Sequence, residues 1–156
     1  MSTNAKAINW HRAQPLPAAL AKYLKVNFPQ ISGTGIYNDR NVAGTNKKSA
    51  HAEGRALDIH LNVTRPDEKL IADNLYRIFI EVAYQTGIDN VIWNRTIWSR
   101  AKGQHAYHGQ NPHTDHIHVE FTRPGSQLTI WHLLDLKVAQ LRTGLEELSH
   151  AQANIG

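Results

Sequence analysis

Ser49-Ala50-His51-Ala52-Glu53-Gly54-Arg55-Ala56-Leu57-Asp58-Ile59-His60-Leu61-Asn62-Val63 reads as a turn that runs into a strand. From Ala56 to Val63 the side chains alternate, which puts Leu57, Ile59, Leu61 and Val63 on one face and Asp58 and His60 on the other. The apolar face is expected in a core. Asp58 then sits in an otherwise apolar strand, where a carboxylate is costly to bury unless a cation meets it. Gly54 divides this potential carboxylate ligand from a potential imidazole ligand, His51.

On the N-terminal side, Gln30 to Lys48 is rich in Gly, Asn, Ser and Thr and reads as turns around one short strand near Gly35 to Asn38. Before it, Leu16, Leu20, Tyr23, Leu24 and Val26 behind two prolines predict a short helix over Leu16 to Phe28, started near Pro17 and packed as a lid on the core. On the C-terminal side, Asp67 to Gly87 opens with proline and acidic residues, carries Leu70, Ile71, Leu75, Ile78, Phe79 and Val82, and stops at glycine, which are helix signals. A strand over Asn90 to Asn94, a loop over Lys102 to Pro112, a strand over His116 to Phe121 and an amphipathic helix over Gln127 to His150 complete the chain. The expected fold is α+β, one domain over residues 1–156, with a small, mainly antiparallel sheet flanked by helices.

Composition narrows the chemistry. A chain of 156 residues with 41% apolar content can bury a core of its own. With no cysteine, disulfides and thiolate metal sites are excluded, so any metal is held by imidazole and carboxylate. The net charge of +4 favours anionic partners, including acidic wall polymers. Lys47, Lys48, Arg55, Arg65, Arg95, Arg100 and Lys102 are scattered and form no basic helical stripe, so no nucleic-acid partner is expected. Arg95 to Lys102 reads as a solvated loop. No apolar run is long enough to span a membrane, and Met1 to Ala13 lacks the core of a signal peptide. Synthesis in the cytoplasm without a Sec address is the expectation.

Of the ten histidines, five fall between His105 and His118. His113-Thr114-Asp115-His116-Ile117-His118 leads into a strand on which His116 and His118 share a face, with Asp115 and His113 just before them. A catalytic zinc takes three ligands from His, Asp or Glu and lowers the pKa of water in the fourth position to about 7. His51, Asp58 and His118 fill that role, which leaves His113, Asp115 and His116 for proton transfer and charge stabilisation. His60, His105, His108 and His132 read as ordinary polar positions, and Trp93 and Trp98 as core.

The first stretch matches S-x-H-x-x-G-x-A-x-D at every fixed position, and the second supplies H-x-H. Over roughly Ile36 to Phe121 the chain thereby resembles the zinc peptidases of peptidoglycan: the D-Ala-D-Ala carboxypeptidases, murein endopeptidases and phage L-alanyl-D-glutamate endolysins. The resemblance implies one zinc per chain on His51, Asp58 and His118, with Asp115 as general base and His116 steadying the oxyanion. His113 stands where some members also have histidine. Arg40, upstream of the motif with Tyr37, is implied to hold substrate. Ser49 is placed with Arg40 on the substrate-binding side, and its hydroxyl reads as orienting the loop and not as a nucleophile, because no serine here has the strand-turn-helix elbow that exposes one. Position 115 is Asp where other members use Glu, and Glu120 lies beyond the last ligand and is no substitute.

The function implied is hydrolysis of a peptide bond in stem peptides or cross-links, by a monomer acting on the wall after release as an endolysin. An injected antibacterial effector of the same chemistry and a zinc-binding module without activity are the alternatives. Loop shape around the cleft decides which bond is cut.

Overall fold

The computed structural model describes residues 6–156. The chain folds into helix α1 (Pro15–Asn27), strand β1 (Thr34–Gly35), a 3-10 turn η1 (Ala50–Glu53), β2 (Ala56–Ile59), α2 (Pro66–Glu81), α3 (Ala83–Thr86), β3 (Ile88–Trp93), β4 (Thr96–Ser99), β5 (Gly103–Ala106), β6 (Ile117–Phe121), α4 (Arg123–Ser126) and α5 (His132–Ala153). The strands form one sheet in the order β1-β2-β6-β3-β4-β5, with every neighbouring pair antiparallel. The fold is α+β, as the sequence predicts.

Alternation along the two central strands separates a core face from a polar face. Leu57 and Ile59 of β2 and Ile117, Val119 and Phe121 of β6 are fully buried, whereas Asp58, His118 and Glu120 project to the other side and remain partly exposed. Helices cover the core face. Leu16, Leu20 and Leu24 of α1 and Leu75 and Phe79 of α2 are fully buried there, each worth about 1.5–3 kcal/mol of burial. Leu134 and Val138 bring α5 into the same cluster.

Several boundaries differ from the sequence reading, each for a local reason. Strand β2 ends at Ile59 and not at Val63: His60 N–H still bonds Gly33, but Asn62 N–H turns to the Glu68 carboxylate and Val63 N–H to Thr114. The short strand near Gly35–Asn38 is Thr34–Gly35, because Asn38 N–H leaves the sheet edge for the His51 carbonyl. The helix expected over Asp67–Gly87 starts at Pro66 and breaks at Val82, then ends as foreseen at Gly87, whose φ of 66° is left-handed. Leu70 and Val26, assigned to buried faces, are exposed. The Gln127–His150 helix starts at His132, since Thr122 caps the separate turn α4 and the Gln127 side chain bonds Gln14.

The largest difference lies between Asn94 and Ala106, where the loop and the solvated cationic segment hold two strands, β4 and β5. Asn94 and Arg95 both have positive φ, 45° and 65°, the geometry of a two-residue hairpin turn that matches strand twist. Arg100 is not solvated in the expected way: its guanidinium donates to the Ala83 and Ile88 carbonyls and lies 4.8 Å from the Tyr84 ring centre. Trp93 and Trp98 are buried, as expected. Among the described residues, no helix is long and apolar enough to cross a membrane.

Candidate metal centre

Three elements deliver three ligand atoms to one point. Strand register sets Asp58 of β2 directly opposite His118 of β6, side chains on the polar face. His51 comes from η1. Ser49 caps that turn by accepting from Ala52 N–H at 3.2 Å, and Gly54 closes it with a left-handed φ of 66°. A Cβ on Gly54 would lie 1.7 Å from the Arg12 carbonyl oxygen, so glycine is required both for the turn and for the close passage of the N-terminal segment.

The donor atoms are His51 Nε2, Asp58 Oδ1 and His118 Nδ1. They are separated by 3.2 Å (His51 to Asp58), 3.2 Å (His51 to His118) and 3.0 Å (His118 to Asp58). Zinc bonds of about 2.0–2.1 Å at tetrahedral angles put ligand atoms about 3.3–3.4 Å apart, so the group fits a metal ion with little movement. Its electrostatics demand a cation as well, since two imidazole nitrogens face each other across a carboxylate. Without a metal a proton takes that place. Burial alone would lower the His118 pKa, but the bonds to Asp58 and Glu120 outweigh it and raise it to about 9. Asp58 is pushed upward by burial, yet His118 and His51 hold its carboxyl far below the usual range. His51, Asp58 and His118 can therefore hold a metal ion.

Two further imidazoles border this point. His113 and His116 rings are 4.7 Å apart, His113 lies 5.9 Å from the His118 ring, and His116 Nε2 is 3.9 Å from Asp58 Oδ1. His113 adopts a left-handed φ of 53°, held by its own N–H to the Asn111 side chain and by Asn94 N–H to its carbonyl. Its Nδ1–H donates to the Asn111 carbonyl at 2.7 Å, which leaves Nε2 as an acceptor. Burial, with His116 and His118 nearby, lowers its pKa to about 4, so it is neutral at pH 7.

Asp115 lies on the loop just before β6. It is exposed, and its carboxylate accepts the Nδ1–H of His116 at 2.7 Å, which lowers its pKa. It reaches the centre through His116. Arg40 is exposed on the neighbouring loop, with its carbonyl bonded to Ser49 N–H, and its guanidinium makes no ion pair among the described residues. Ser49 is buried and its hydroxyl is occupied by the cap, in keeping with a loop-orienting role. His105, His108 and His132 are exposed and away from the cluster, while the exposed His60 ring lies 5.8 Å from His116. Two surface clefts, one around Arg12 and Gln14 and one around Tyr23 and Trp131, share no residue with the centre.

Fold and site together define a small α+β domain with a histidine and aspartate group that can hold a metal ion on the polar face of an antiparallel sheet. The chain belongs to the family described as VldE, C-terminal domain, whose profile matches residues 10–118 and so takes in His51, Asp58 and His118. No curated protein and no solved structure matches it. That family description names a domain and no chemistry.

Proposed function

We propose that the chain is a zinc-dependent peptidase that hydrolyses a peptide bond in the stem peptides or cross-links of peptidoglycan. The observation that carries this reading is the convergence of His51, Asp58 and His118 at ligand spacing with two further imidazoles beside them. The resemblance to the peptidoglycan zinc peptidases supports the substrate class. A zinc ion held by the three side chains would supply Lewis acidity toward a peptide carbonyl and acidify a water.

The chain's own residues supply the proton handling. Asp115 accepts the Nδ1–H of His116 and fixes its tautomer, which turns the Nε2 lone pair toward the centre. His116 is then the proton acceptor for the attacking water. Once protonated, its Nε2–H can donate to the departing amine, so the same group serves as base and then as acid. His113, neutral and with Nε2 left as an acceptor, accepts a hydrogen bond and orients the water. Arg40, without an ion-pair partner among the described residues, is available for a substrate carboxylate. On this reading the chain acts at the cell wall as a monomer, released as an endolysin.

Incubation of purified peptidoglycan with the protein, followed by mass spectrometry of the fragments, tests this. New peptide termini that vanish with chelator and return with zinc support the reading and identify the bond. Intact muropeptides from a protein that binds a full equivalent of zinc refute catalysis and leave a wall-binding module.

A further inference from the structure

The imidazoles around the centre are not oriented alike. His51 donates Nδ1–H to the Ile36 carbonyl at 2.6 Å, His113 to the Asn111 carbonyl and His116 to Asp115, and the Nε2 atoms of His51 and His116 face Asp58. His118 is inverted: its Nδ1 faces Asp58 at 3.0 Å and its Nε2 points away, to Glu120 Oε2 at 3.5 Å. Glu120 lies two residues on along β6, on the same face, and is itself fixed. Its Oε1 accepts from Arg55 at 3.0 Å, and Arg55 also bonds the Phe121 carbonyl at 2.8 Å and Glu53 at 2.5 Å. Arg123 closes the chain on Glu53.

We propose that Glu120 is the positioning residue of the metal centre: anchored by Arg55, it accepts the Nε2–H of His118 and so assigns Nδ1 to the ion. An imidazole ligand needs its second nitrogen held by an acceptor, and loss of that acceptor typically lowers metal affinity 10–100-fold. Here the inverted ring makes the requirement specific, because the ring nitrogen that faces Glu120 Oε2 is Nε2 while Nδ1 faces Asp58. The inference rests on the metal-centre reading and separates from it by experiment.

Zinc affinity is measured by competition with a chromophoric chelator, and cobalt spectra are recorded, for wild type, Glu120→Ala and Glu120→Gln. The expected result is a zinc affinity lowered about 10–100-fold in Glu120→Ala with an altered cobalt visible spectrum, and partial recovery in Glu120→Gln, whose amide oxygen still accepts. Wild-type affinity and an unchanged spectrum in Glu120→Ala overturn the role of Glu120 alone. Absence of zinc binding by wild type overturns the metal centre itself. Nitrogen-15 correlation spectra of the zinc-loaded wild type give a readout that does not depend on the variants folding. His118 is expected as the Nε2–H tautomer, and Nδ1–H would refute the assignment.

Discussion

Each residue of the centre acts through a hydrogen bond that fixes one imidazole tautomer. Asp115 is the clearest case, because its carboxylate accepts the Nδ1–H of His116. Asp115→Ala is expected to lower kcat about 10²-fold or more with KM little changed and zinc content intact, as measured by steady-state kinetics on a muropeptide and by metal analysis. A loss of zinc instead would mean that the side chain holds the site together. His51, Asp58 and His118 were legible because a motif and a period-two strand fix which side chains share a face. The position of Asp115 was not, since residue spacing does not say which way a loop carboxylate turns. Glu120 lies beyond the last ligand and is no base, yet its i+2 relation to His118 on a strand is signal enough to mark it as a partner.

Elements put those residues in place, and the turn η1 is the most exacting of them. Gly54→Ala forces a left-handed φ on alanine and drives a Cβ into the Arg12 carbonyl, so a loss of about 2 kcal/mol or more is expected in denaturant unfolding, together with weakened metal binding. An unchanged unfolding midpoint would show that the N-terminal segment does not pack there. Strongly periodic elements were readable from sequence, as α2 and β6 illustrate. The β4 and β5 hairpin was not, because its Asn94-Arg95 turn lacks the glycine that marks such turns. The late start of α5 likewise depends on a tertiary bond, Gln127 to Gln14, that no local pattern announces.

For the whole molecule, the centre is a concentrated electrostatic strain that either a metal or a proton relieves. In metal-free protein, His118 has a raised pKa of about 9, so its contribution to stability is present below its ordinary 6.5 and is lost as pH rises through 9. His113, lowered to about 4, contributes above 6.5 and loses that contribution as pH falls through 4. Asp58 and Glu120, both depressed, add to the loss on the acid side. Chelated protein should therefore show its highest Tm near pH 6.5, with a decline of several degrees toward pH 9 that zinc abolishes; a flat alkaline limb without metal would contradict this. Zinc at 100 times its Kd should add about 2.7 kcal/mol, or about 5–10 °C in Tm. The most direct measurement is anomalous diffraction at the zinc edge from crystals grown with one equivalent of zinc. The account predicts a single peak within about 2.0–2.2 Å of His51 Nε2, Asp58 Oδ1 and His118 Nδ1. A peak at other residues, or none at these, would contradict it.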